Sequence, residues 1–191
     1  LDFDLGGKFN LTDSVPDIDL TANIYTVNLK KLNLSATELG FSGKIVADLY
    51  GNNLDNLKGT ASLQNVALTG SGESYNDPKI TLEARQLGGG RRAVLLNAKF
   101  MDANIEGHYN FQDLPDLVVG FINDFFPIDE LALPDDYELK PRSELARQEF
   151  TFDFQFTDLA SVVDVFVPGF IKIGSSAYLK GEFNSQGKVL V

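Results

Sequence analysis

Asp17-Ile18-Asp19-Leu20-Thr21-Ala22-Asn23-Ile24 alternates polar and apolar residues without a break. Successive side chains of a β-strand point to opposite faces, so this octet reads as a strand with one polar and one apolar side. The pattern returns at Ile45, Ala47 and Leu49, at Ile80, Leu82 and Ala84, and at Ala103, Ile105, Gly107, Tyr109 and Phe111. About a dozen such runs, each set off by turn residues, predict a mainly β protein. Gly6-Gly7, Gly51-Asn52-Asn53, Gly70-Ser71-Gly72, Asn76-Asp77-Pro78 and Gly88-Gly89-Gly90 are the expected turns, since Gly permits positive φ and Pro locks φ at a negative value suited to a turn.

The phase of alternation flips in two places. Ala61 and Leu63 are odd while Val66 and Leu68 are even, with Asn65 between them. Val94, Leu96, Ala98 and Phe100 are even, whereas Ala103 and Ile105 are odd. A bulge or a sharp corner at each point would keep one face apolar throughout.

Two stretches leave the β pattern. Leu114, Leu117, Val118, Phe121, Ile122 and Phe125 recur at helical spacing, with Asp113 as N-cap, Pro115 in the first turn and Pro127 as stop. Leu159, Val162, Val163 and Phe166 form a second stripe, between the cap Asp158 and the stop Pro168. Phe111-Gln112-Asp113-Leu114 and Phe156-Thr157-Asp158-Leu159 align, which suggests a divergent internal repeat. The expected architecture is an elongated, twisted antiparallel sheet or incomplete barrel, with short helices near 114–126 and 159–166 packed on its apolar face. The chain divides into a first unit at 1–127, an irregular linker at 128–149 and the start of a second unit at 150–191.

Composition narrows the function. With 16 basic against 27 acidic residues the net charge is -11, which disfavours nucleic acid and anionic membrane surfaces as partners. The absence of Cys removes disulfides, thiolate metal sites and cysteine nucleophiles together. The 191 residues contain no apolar run near the roughly 20 residues of a membrane helix, and the N-terminus does not resemble a signal peptide. Both ends lie in alternating runs (Leu1, Phe3, Leu5 and Val189 to Val191), as expected of a segment cut from inside a longer sheet.

Reactive chemistry finds little support. His108, the only His, alternates with Tyr109 and lacks a nucleophile motif, so a surface position on a strand is expected. Gly88-Gly89-Gly90-Arg91-Arg92 joins two strands, whereas a phosphate loop leads into a helix, so it reads as a hairpin. The acids between Asp13 and Asp19 and at Asp129, Glu130, Asp135 and Asp136 lack the ligand spacing of a calcium loop. No carboxylate pair stands out for glycoside hydrolysis, and Asn10-Leu11-Thr12 and Asn33-Leu34-Ser35 match the glycosylation acceptor only at the level of a short motif. No enzyme, metal or cofactor is expected.

The apolar face remains. Its candidate residues are Ile18, Leu20, Ile24, Ile45, Leu49, Leu63, Ile80, Leu82, Leu96 and Ile105, then Leu117, Phe121 and Phe125 from the first helix. Phe152 and Phe154, with Val162 and Phe166 of the second helix, complete the set. These side chains suit a filled core and an open groove for acyl chains equally well, so both readings stand at this point.

Val27-Asn-Leu-Lys-Lys-Leu-Asn-Leu34 and Gly40-Phe-Ser-Gly-Lys-Ile-Val-Ala-Asp-Leu-Tyr-Gly51, continuing through Leu63, resemble the TamB translocation and assembly module family of the AsmA-like superfamily. The likeness is to homologues of the Bacteroidetes type. Asp102-Ala-Asn-Ile-Glu-Gly-His-Tyr109 resembles the family's strand ending in Gly-x-Tyr, and Phe152 to Gly181 looks like the next unit. The resemblance implies an internal fragment of a periplasmic protein, anchored in the inner membrane of a Gram-negative bacterium by a helix outside this segment. It implies a sheet curled into a β-taco whose apolar interior shields phospholipid acyl chains during outer-membrane biogenesis and protein secretion. The alternative it leaves is a scaffold that meets outer-membrane assembly proteins through an exposed strand edge.

Overall fold

The alternating runs become nine strands among the described residues. The computed structural model describes residues 2–10, 15–114, 116–117, 140, 147–166, 169 and 176–185. In chain order the strands are β1 (Asp2–Asn10), β2 (Asp17–Asn28), β3 (Leu39–Tyr50), β4 (Lys58–Gly70) and β5 (Glu73–Gly88). They continue with β6 (Arg91–Asn97), β7 (Met101–His108), β8 (Glu149–Phe156) and β9 (Ala177–Asn184). Spatial order equals chain order and every neighbouring pair is antiparallel. The result is a single meander with β1 and β9 as its edges, not a closed barrel.

Local chemistry sets the joints. Ser71 and Gly72 both take positive φ, 54° and 82°, as a two-residue turn twisted to match its strands requires, and Gly70 pairs with Glu73 across it. The Gly88–Gly90 run is likewise the β5–β6 hairpin. Asn65 has φ 51°, and the β3–β4 register shifts between Ser42 and Lys44 opposite it. The extra residue returns Val66 and Leu68 to the face of Ala61 and Leu63, as the phase flip suggests. The second flip is a turn between strands instead: Ala98 and Met101 bond each other's backbones at 2.9 and 3.3 Å.

Three sequence expectations are corrected here. Gly6-Gly7 lies inside β1, paired with Thr21 and Leu20; a Cβ on Gly7 would sit 2.6 Å from the Asp19 carbonyl oxygen. Asn76-Asp77-Pro78 lies inside β5. Pro78 stands across from Asn65, and β6 pairs with β5 only from Thr81 onward, so its missing N–H breaks no ladder on that side. Tyr109 to Phe111 does not extend β7, which ends at His108 before a turn.

One helix, α1 (Leu159–Phe166), is present among the described residues. It follows β8 but crosses the sheet to pack on β4 and β5. The second expected helix is not supported beyond one turn at Leu114, Asp116 and Leu117, where the Leu117 N–H donates to the Asp113 carbonyl at 3.0 Å. Phe121 and Phe125 lie outside the described residues. Across the expected linker at 128–149 the sheet is continuous, because β7 and β8 pair from Met101–Phe156 to His108–Glu149.

Candidate functional site

Register turns the separate alternations into one surface. A row of cross-strand neighbours runs Gly7, Leu20, Ala47, Ala61, Leu82, Leu96, Ala103, Phe154 and Leu179 from edge to edge. The adjacent row runs Phe9, Ile18, Leu49, Gly59, Ala84, Val94, Ile105, Phe152 and Gly181. Ile24, Ile45, Leu63 and Ile80 extend the same face. Every strand residue of the expected apolar set is therefore brought onto one side of the sheet. The reverse side carries Lys8, Asp19, Asp48, Thr60, Glu83, Leu95, Asn104, Asp153 and Lys180 along one row.

The apolar side changes character along its width. Aliphatic and small residues line β2 to β7, whereas β8 presents Phe150, Phe152, Phe154 and Phe156 with successive ring centroids 6.4, 5.6 and 6.3 Å apart. Phe183 of β9 stacks on Phe150 at 5.2 Å. Between the two ends the face keeps exposed apolar area: Leu82, in a middle strand, is 37% accessible. Among the described residues, the segments packed on this face sit at its ends.

At one end α1 supplies the cover. Val165 is fully buried against Leu39 and Tyr75, and Leu29, Leu68, Phe100 and Val162 pack around them. The stripe is thus centred on Val162 and Val165, and Phe166, expected inside, is 43% exposed. Asp77 is buried here and fully engaged. Its Oδ2 accepts the Tyr75 hydroxyl at 2.6 Å and the Lys99 N–H at 2.8 Å, and its Oδ1 accepts the Lys79 N–H at 2.9 Å. Burial, and then the bond to Asp77, push the Tyr75 phenol well above its usual range. Asp158 caps α1 as expected: the Ser161 hydroxyl, followed by Lys99 Nζ at 3.4 Å, holds its carboxyl below the ordinary value.

The opposite end is covered by the chain after β7. Tyr109 folds over the sheet and meets Phe111 and Phe150 edge-on, at 5.2 and 5.7 Å. The Arg92 guanidinium lies 5.5 Å from the Tyr109 ring centre and pairs with Asp55, whose Oδ1 also accepts the Phe111 N–H at 2.8 Å. Gln148 is fully buried and accepts the Asn110 N–H at 2.8 Å. Leu117, expected on the apolar set, is the last described residue of the single helical turn and is buried. Three atoms here, Arg92 Nε, Tyr109 Oη and Gln148 Nε2, are buried without a hydrogen-bond partner. Burial raises the Tyr109 phenol to about 12, Arg92 opposing the shift and Asp55 adding to it.

Neither tyrosine therefore ionises near neutrality, and both act as packed polar groups. His108 is exposed, with Nε2 2.9 Å from the Gly89 carbonyl oxygen, as the alternation suggests. On the polar side, Glu106 is paired with Arg91 at 2.6 Å and Glu149 with Arg147 at 3.2 Å, which leaves these carboxylates in exposed ion pairs. Among the described residues no group of three metal-ligating side chains occurs.

Sequence reasoning missed Asp55, Tyr75, Asp77, Arg92, Gln148 and Val165. Arg92 had a signal: it shares the phase of Val94 and Leu96, so a charge was due on the apolar side. No family model, curated protein or solved structure matches this chain.

Proposed function

We propose that this chain is a non-enzymatic periplasmic segment of a lipid-transfer protein, shielding phospholipid acyl chains on its apolar face between the two membranes of a Gram-negative cell. The observation that carries the reading is the edge-to-edge apolar surface, backed by a polar one and left accessible between its covered ends. Tails crossing water cost about 0.8 kcal/mol per exposed CH₂, and a continuous apolar strip removes that cost while headgroups stay wet. The mechanism is passive: the sheet curls as a trough, tails slide along it, and no side chain exchanges a proton. The resemblance to the TamB family supports the same reading and adds the inner-membrane anchor outside this segment.

The test is mass spectrometry of organic extracts from natively purified protein. Phospholipid should co-purify, and Leu82→Asp combined with Leu96→Asp should reduce its yield several-fold in a protein that still folds. Lipid no higher than in a control β protein would sink the proposal. The alternative, a scaffold for outer-membrane assembly proteins, has one observation in its favour, the exposed β1 edge.

A further inference from the structure

We infer that Tyr109–Asp113, which follows β7, is a lid that opens on its own while the α1 end stays shut, with Asp55 of the β3–β4 loop as its latch. The lid lies past the last pair of the β7–β8 ladder, His108 with Glu149, so no strand bonds hold it. Side chains hold its backbone instead. The Asn110 N–H donates to Gln148 Oε1 and the Phe111 N–H to Asp55 Oδ1, each at 2.8 Å. The same Asp55 oxygen accepts from Arg92 of β6, so one carboxylate atom fastens the lid to the sheet. The loop that carries Asp55 is tethered in turn, because Gln86 Nε2 donates to the Asp55 and Leu57 carbonyls at 3.3 Å.

Closure is unfavourable for three groups. With the lid down, Arg92 Nε, Tyr109 Oη and Gln148 Nε2 are buried and bond nothing. All three belong to the lid or touch it: Arg92 lies against the Tyr109 ring, and Gln148 holds the Asn110 N–H. Each has given up its water without a replacement, and opening restores that water. The α1 end offers no such relief. Among the described residues it has no orphaned side-chain atom, and Asp77 there accepts three hydrogen bonds.

Ring packing of Tyr109 on Phe111 and Phe150, together with the Asp55 latch, keeps the lid closed most of the time. A segment with few bonds of its own and relief on opening belongs to the low-stability end of a fold. Opening uncovers Phe150 and the Phe183 ring stacked on it, which adds a row to the aromatic end of the apolar strip. That consequence rests on the lipid reading; the opening itself does not.

Amide hydrogen exchange on delipidated protein tests the lid separately from the lipid reading, since no lipid is present. Asn110 and Phe111 at one end, and Lys79 and Lys99 at the other, form a matched set of amides held by side-chain oxygens. Relative to unstructured rates, Asn110 and Phe111 should exchange about a hundredfold faster than Lys79 and Lys99, with little dependence on low urea. Tyr75→Phe should speed exchange at Lys79 and Lys99 and leave the lid amides unchanged. Asp55→Asn weakens the latch and should speed the lid amides about tenfold. Tyr109→Phe leaves one orphaned atom fewer under the closed lid and should slow them several-fold. Equal protection at the two ends would overturn the inference. So would a Tyr75→Phe effect shared equally by all four amides, because the lid would then open only with the whole sheet. Lid amides that fail to slow in Tyr109→Phe would overturn it too, and that variant decides even if Asp55→Asn does not fold.

Discussion

At the α1 end of the sheet the Asp77 carboxylate collects three hydrogen bonds beneath Tyr75 and Val165; at the far end Arg92, Tyr109 and Gln148 each bury a polar atom that bonds nothing. Both ends rest on the same motif, an aromatic residue, a polar residue, an Asp cap and a Leu, at 111–114 and 156–159. Antiparallel strands deliver the two copies to opposite ends, because β7 and β8 run in opposite directions. The difference teaches that burial alone does not lock a sheet end. A satisfied network penalises every substitution within it, whereas an orphaned group has already incurred its desolvation cost.

The sharpest way to break this contrast is Asp77→Ala. It strands the Tyr75 hydroxyl and two backbone N–H groups, and should lower unfolding free energy by about 3–5 kcal/mol in urea titrations. A smaller and more discriminating pair is Tyr75→Phe against Tyr109→Phe. The first removes a donor from Asp77 and should cost about 1–2 kcal/mol. The second deletes a hydroxyl with no partner, so stability should stay within about 0.5 kcal/mol or rise. Equal losses at both sites would erase the distinction between the ends.

Acidification tests the cap and should show the smallest effect. The Asp158 carboxyl is held low in the folded state, so its contribution is present above the ordinary Asp value of about 3.9 and fades as pH falls through the lowered folded value. Asp158→Asn should flatten that acid limb of the stability profile. Because Asp158 is partly exposed, solvent screening keeps the change modest.

Much of the sheet was legible in the chain. Alternation at Ile18 to Ile24, Ile45 to Leu49 and Ile80 to Ala84 placed those residues on one face, and register confirms it. The flip at Asn65 announced a real bulge. Asn76-Asp77-Pro78 misled because its turn chemistry is local, while β4 offered an irregular position across the ladder that accommodates a Pro. Tyr109 misled differently: its phase fits a strand, but ring packing on Phe150 and Phe111 draws the backbone off the sheet. In α1 the periodicity placed Phe166 inward, and only the position of Tyr75 and Leu39 decided for Val165 instead.

The sequence by itself determined that the chain would be a one-sided antiparallel sheet, since a period of two leaves a strand no other way to segregate its side chains. Only the tertiary structure decided that nine described strands stay in chain order without closing, and which groups finish each end. Those outcomes depend on register and on partners far apart in the chain, Asp77 with Lys99 and Asp55 with Arg92, and no local pattern encodes such distances.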